Sequence, residues 1–366
     1  MIERETLIVN LDYCGHCAGT CPTCVLSEDE RMSVEPFLSI EQIEETFLKL
    51  KEIYKNTYIK NLVIGIGRGN TLALPEAYLE DVFKIPYIAA KSFQYEDIKI
   101  EISTSLIGKY DFHVERGKYF SDRLEKDFET RFVIVANPMI EVKNYWRNIR
   151  IFVETMQEYR GGKDGSGDII LLNLTLNKLP DIDWLSEFLQ NYKFPINLTW
   201  TPAQDFFIEN KKLHNLNDWL FNFYKMAKKY NLDSNIINHL NDKLDLLSIG
   251  EAQENIKYGS NSLIYVDKIN RIHNGLFSIY GDLDPIRYTP INKTGQNLKI
   301  IDDLKEDMMK LRRNRVCRSC EFMPTCVYTG AYKVGLLAFD KLVDKKDNIC
   351  PSGLKKTFLE DYMYAK

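Results

Sequence analysis

The sequence predicts an α/β fold, a partial (β/α)6 barrel of parallel strands followed by a smaller C-terminal α+β domain. Three observations predict it. Six short apolar runs rich in β-branched residues alternate with stretches of helical period. The first run leads directly into a cysteine-rich loop. All eight cysteines fall in two clusters, residues 14–24 and 317–350, one near each end of the 366-residue chain.

The first run is Thr6–Leu11, a β-rich segment that places the cysteine loop at a strand's C-terminal end. Ser39 with Gln42 three residues later forms a capping box, and Ile40, Ile43, Phe47, Leu50 and Tyr54 recur at helical spacing, completing one βα unit. Asn61–Ile66 is a second strand, ending in Gly67-Arg68-Gly69-Asn70. Ile98–Thr104 is a third, and Arg131–Ala136 is a fourth that ends at Asn137-Pro138. Asp168–Leu174 and Ile196–Trp200 supply two more, with Trp184–Leu189 helical between them. Strands interleaved with helices argue for a parallel sheet, whose apolar strands are expected to be covered on both faces. Periodicity accommodates a doubly wound open sheet equally, and in either case a site lies at the strand C-termini. Residues 213–250 read as a polar helical bridge, with Leu220, Phe223, Tyr224 and Ala227 at helical spacing. Ser262–Asp267 and Arg271–Phe277 read as a hairpin. The expected domains are therefore 1–212, the bridge 213–250, and 251–366.

Composition narrows the function classes. The chain is 45% hydrophobic and 12% aromatic, enough for substantial cores. Forty-eight basic residues against fifty-two acidic ones, with no basic block, argue against nucleic acid as a partner. No secretory signal pattern and no run of eighteen apolar residues is visible, so no membrane partner is expected. Clustered cysteines suit a reducing cytoplasm and metal ligation better than a disulfide framework.

Cys17-x3-Cys21-x2-Cys24 supplies three thiols. A cubane [4Fe–4S] cluster has four irons, so three thiolates leave one iron open to a further ligand. Cys14 with Cys17 and Cys21 with Cys24 also form two CxxC pairs, which fit a zinc knuckle or a redox dithiol, although three intervening residues make a cramped linker for tetrahedral zinc. Cys14 then stands apart as a small buried thiol.

Cys17, Cys21 and Cys24 resemble the CxxxCxxC signature of the radical S-adenosylmethionine (radical SAM) enzymes, which also lies near the N-terminus. That resemblance implies closure of the sheet into an open barrel, chelation of SAM by the unique iron, and reductive cleavage to methionine and a hydrogen-abstracting 5′-deoxyadenosyl radical. Thr23 stands where many members have an aromatic residue. The family's Gly-Gly-Glu segment corresponds here to Gly67–Asn70, without the Glu. The resemblance implies SAM contacts from Gly67, Gly69 and Asn70, from Thr104 and Ser105 at the third strand's end, and from Asn137 at the fourth's; each is also an ordinary turn residue.

Cys317-x2-Cys320-x5-Cys326 with Cys350 supplies four thiols, enough to close a cluster or to hold zinc. These positions resemble the second auxiliary cluster of C-terminal SPASM domains. Gly330 and Asn274-Gly275 occupy places where ligands of the first would stand. The implied cofactors are thus SAM, one [4Fe–4S] cluster on three cysteines and one auxiliary [4Fe–4S] cluster on four, in a reduced SPASM or twitch-like iron–sulfur domain. Relatives with such a domain commonly modify ribosomal peptides or oxidise sulfatase residues, so a peptide or protein substrate and an external electron donor are expected. Leu276 replaces the acid that serves as base in sulfatase-maturing relatives. A small-molecule substrate and a non-catalytic zinc scaffold are the alternatives. His16, His113 and His273 are acid–base candidates, and Asp205 is a candidate for binding a substrate amine.

Overall fold

The computed structural model describes residues 2–19, 26–128, 132–136, 145–162, 169–175, 181–192, 196–199, most of 218–230, 261–270 and 272–274. Cys21, Cys24, Asn137, Asp205 and the whole C-terminal cysteine cluster lie outside these residues. The chain divides into two compact units, Met1–Leu171 with Gly259–Ile301, and Leu172–Tyr258 with Asp302–Lys366.

The first unit is built on β1 (Ile2–Cys14), β2 (Thr57–Arg68), β3 (Gln94–Thr104) and β4 (Phe132–Ala136). Each pairs in parallel with the next, as at Ile8↔Val63, Ile64↔Ile100 and Ile102↔Ile134. The expected runs are present, and the first three strands reach further back than their apolar cores. β5 (Ile170–Thr175) begins beside β4, where the Ile134 N–H donates to the Ile169 carbonyl at 2.9 Å. In the second unit β5 pairs in parallel with β6 (Ile196–Thr199), Leu172 opposite Ile196. The predicted hairpin forms from β7 (Asn261–Val266) and β8 (Ile272–Asn274), with Val266 opposite Ile272. It does not stand apart from the sheet: β7 lies parallel to β1, Val9 opposite Ile264. Within the first unit the strand order is β4-β3-β2-β1-β7-β8.

That order dictates where the helices go. Every crossover from β1 to the start of β5 steps one strand in the same direction, and parallel crossovers are right-handed, so the helices between them fall on one face. These are α1 (Glu28–Met32) and α2 (Ile40–Tyr54) after β1, α3 (Glu76–Ala90) after β2, α4 (Tyr110–Phe128) after β3 and α5 (Tyr145–Tyr159) after β4; in the second unit α6 (Ile182–Tyr192) follows β5. The predicted capping box opens α2: Ser39 Oγ accepts the Gln42 N–H at 3.4 Å, and Gln42 Oε1 accepts the Ser39 N–H at 2.9 Å. On the covered face Leu7, Val9, Leu11, Leu62, Ile64, Ile66, Ile100, Ile102, Phe132 and Ile134 are buried, as are Phe47 of α2, Phe83 of α3, Phe120 of α4 and Phe152 of α5.

The other face is different. Ile8, Asn10, Gly65, Lys99, Glu101, Ser103 and Val135 alternate with the buried residues and are only half-buried. The sheet expected to be covered on both faces therefore has one apolar face and one mixed face, where these half-buried and often polar residues stand among buried Val63, Val133 and Tyr265, as a partial barrel with an accessible interior allows. Of the polar bridge, the described residues include a stacked pair, Trp219 and Phe223, with ring centroids 5.3 Å apart. Among the described residues no helix is long and apolar enough to cross a membrane.

Phe120 is fully buried against Phe83 and Phe132, with centroids 4.9 and 5.8 Å away. Phe120→Ala is expected to lower unfolding free energy by about 3–5 kcal/mol, measured as a shift of the urea midpoint at unchanged slope.

Candidate functional site

β1 runs into the cysteine loop at Cys14, and two glycines make the entry possible. A Cβ on Gly15 would stand 2.4 Å from the Phe37 ring and 2.5 Å from the Glu30 carbonyl oxygen. A Cβ on Gly69 would stand 2.6 Å from the Gly15 and His16 backbone. Because that Cβ is absent, the end of β2 lies directly on the loop: the Gly69 N–H donates to the Cys14 carbonyl at 2.8 Å and the Asn70 N–H to the His16 carbonyl at 2.6 Å. α1 holds the loop from another side. The Cys17 N–H donates to the Arg31 carbonyl at 3.0 Å, and Arg31 Nη1 donates to the Gly19 carbonyl at 2.9 Å.

The two described cysteines have opposite environments. Cys17 is half-buried, and its Sγ accepts the Gly19 N–H at 3.3 Å. Cys14 is completely buried, its Sγ 3.7 Å from Thr71 Oγ1, and burial pushes its thiol up to about 12. It therefore remains a neutral packing thiol. Cys17 fits a cluster-ligand role, and Cys14 does not.

Five of the expected SAM-contact residues are brought to one end of β2 and β3. Gly67 has φ +151°, and a Cβ there would stand 2.3 Å from Ser103 Cβ. Asn70, Thr104 and Ser105 are buried and joined to one another: Asn70 Nδ2 donates to Ser105 Oγ at 3.0 Å, and Thr104 Oγ1 donates to Asn70 Oδ1 at 2.8 Å. Ser105 Oγ also accepts the Ile107 N–H at 3.3 Å. Their side chains latch the two strand ends together, so their capacity to meet a ligand rests chiefly on the backbone they position.

An ionic cluster that sequence reasoning missed lies beside the loop. Asp12, 2% exposed on β1, accepts a hydrogen bond from Arg68 Nη1 at 2.5 Å. Tyr265 of β7, also buried, acts on the same carboxylate. Burial outweighs Arg68 and lifts the Asp12 carboxyl to about 6. Burial also works against the Arg68 charge, and Asp12 and Tyr265 more than restore it. Arg68 has φ +122°, a conformation that costs a non-glycine residue on the order of 1–3 kcal/mol and tends to persist at functional sites. A signal was present: Gly65 and Gly67 alternate on β2 with Gly69 just past its end, and Asp12 places a carboxylate within the mostly apolar end of β1.

Of the histidines, His113 is buried on α4, with Nε2 2.8 Å from the Ile107 carbonyl oxygen and its pKa lowered by burial. That is a packing role. His16 contributes its carbonyl to Asn70.

No family model matches the sequence, and no curated protein does. Among solved structures the chain is similar to native anSMEcpe with bound AdoMet, at TM-score 0.58 and 11% identity over 98% of this chain and 97% of that one. It is likewise similar to native anSMEcpe with bound AdoMet and Cp18Cys peptide, at TM-score 0.57 and 10% identity over 98% and 97%. The likeness establishes the fold.

Gly69→Ala is expected to destabilise the protein by about 2 kcal/mol or more, through backbone collision and loss of two hydrogen bonds, read by denaturant unfolding. Asp12 has a folded pKa of about 6 against an ordinary 3.8. Its contribution to stability is thus fully present below the ordinary value and lost as pH rises through about 6. Measured from pH 4 to pH 7.5, the stability of wild type relative to Asp12→Asn is expected to fall by on the order of 2 kcal/mol. A flat difference would contradict the raised carboxyl.

Proposed function

We propose that this protein is a radical SAM enzyme acting on a peptide or protein. The observation that carries the reading is the Cys17-x3-Cys21-x2-Cys24 loop leaving the C-terminal end of β1 in a parallel sheet of partial-barrel type. Cys17, Cys21 and Cys24 hold a [4Fe–4S] cluster, and the nearby ends of β2, β3 and β4 hold SAM through Gly67, Gly69, Asn70, Thr104, Ser105 and Asn137. When bound, this pair supplies one-electron cleavage of the sulfonium and a 5′-deoxyadenosyl radical that takes a hydrogen atom from the substrate. Gly69 and Asn70 fix the entry to the cysteine loop through their N–H groups. Arg31 fixes its middle. The buried Asn70, Thr104 and Ser105 keep water from the strand ends.

In the same reading Cys317, Cys320, Cys326 and Cys350 hold an auxiliary cluster in a C-terminal domain over 251–366, joined to the barrel through 213–250. The electron comes from an external donor in a cytoplasmic setting. The peptide assignment draws support from the spacing of those four cysteines and from the fold shared with a protein solved with a peptide and AdoMet.

Anaerobically reconstituted protein, given SAM and dithionite, is expected to form 5′-deoxyadenosine detectable by mass spectrometry. Cys17→Ala should reduce that yield at least a hundredfold, whereas Cys14→Ala should leave it within a few-fold. A colourless zinc protein that forms no 5′-deoxyadenosine would replace this reading with the zinc scaffold.

A further inference from the structure

We propose that Asn10 and Ser103 form an amide-binding subsite on the mixed face of the sheet, where the substrate peptide lies extended along β2. This rests on the peptide reading above and goes beyond it by naming the chemical group bound and the residues that bind it.

Asn10 stands on β1 opposite Gly65, and Ser103 stands on β3 beside Gly67. Both side chains lean over β2. Asn10 Oδ1 occupies the place of a Gly65 side chain, 2.1 Å from where its Cβ would be, and Ser103 Oγ is 2.6 Å from the corresponding point at Gly67. The two glycines thus leave room for an amide and a hydroxyl to close over β2, and these two half-buried side chains line the shelf, while Gly67 itself is buried beneath them. Both side chains are half-buried, and among the described residues neither has a hydrogen-bond partner within the protein. Polar groups in that position are completed by water or by a ligand.

The surroundings select the ligand's class. Asp12 is paired with Arg68 at 2.5 Å and Lys99 with Glu101 at 3.0 Å, so the charges on β1, β2 and β3 beside the shelf are compensated in pairs, and Asp267 past the end of β7 adds a carboxylate near Asp12 that disfavours an anion. What remains to be matched is a carboxamide, offering donors and an acceptor together, and a hydroxyl that can do either. A neutral amide group matches both. Spacing adds a second argument: Gly65 and Gly67 are two residues apart on one strand, about 6.6 Å, which is the repeat between alternate residues of an extended peptide. A peptide laid along β2 therefore presents one amide to Asn10 and the next in phase to Ser103.

The test uses the full chain without cluster or SAM, with N-acetylglycylglycine N-methylamide, whose first and third amides are two residues apart, as a neutral triamide probe at millimolar concentration. Saturation-transfer NMR is expected to show binding to wild type. Asn10→Ala should cut the signal at least fivefold and Ser103→Ala at least twofold, with circular dichroism unchanged. Gly65→Ala, which drives its methyl into the Asn10 amide, should also cut it at least fivefold, so the inference stands exposed even if Asn10→Ala misfolds. N-acetylglycylglycine, whose carboxylate replaces the third amide, should bind at least threefold more weakly. No signal with wild type, equal signals across the variants, or equal binding of the carboxylate would overturn the subsite. Probe binding with no 5′-deoxyadenosine from reconstituted protein would instead sink the radical chemistry and leave the subsite standing.

Discussion

The site depends on a close contact between two stretches of backbone, the end of β2 and the start of the cysteine loop. Gly69 and Asn70 donate N–H groups to the carbonyls of Cys14 and His16, and no side chain larger than hydrogen fits at Gly69. In the proposed reading the loop presents thiolates, and such a loop cannot rely on an apolar core of its own, because its ligands have to face outward. Its geometry is therefore imposed from outside, by β2 on one side and by Arg31 of α1 on another. Cys14, locked as a buried neutral thiol, anchors the point where strand becomes loop.

A second constraint is topological. A strand order that advances in one direction, combined with right-handed crossovers, leaves the opposite face of the sheet without helices from those connections. Asn10, Gly65, Lys99, Glu101 and Ser103 populate that face, and the Asp12–Arg68 pair closes its upper end next to the cysteine loop. Burying that pair is not an efficient way to stabilise a fold, since desolvation offsets most of the attraction, and Arg68 adds backbone strain. Such expense at a strand's C-terminal end fits a position held for function.

Much of this was legible in the sequence because it is local. The apolar runs around Leu7–Leu11, Leu62–Ile66 and Ile98–Ile102 mark strands, Ser39 and Gln42 mark the start of a helix, and the isolation of Cys14 from the triad marks it as a packing thiol. What escaped was non-local. Nothing in residues 261–266 announces that they pair with β1 rather than stand apart, because parallel register is decided by partners far away in sequence. The strands extend backward past their apolar cores because the sheet ladder supplies hydrogen bonds regardless of local propensity. Asp12, Arg68 and Tyr265 become a cluster only when three strands lie side by side. Asn70, Thr104 and Ser105 were legible as a polar group at strand ends, but not as side chains that satisfy one another.

The central claim is that Cys17, Cys21 and Cys24 leave one iron of a cluster free for SAM, and electron paramagnetic resonance of the reduced, reconstituted protein tests it most directly. To isolate this site, the measurement uses protein in which Cys317, Cys320, Cys326 and Cys350 are replaced by Ala. The account predicts a [4Fe–4S] signal whose g-values shift when SAM is added, because SAM enters the coordination sphere of that iron. Spectra identical with and without SAM would contradict it.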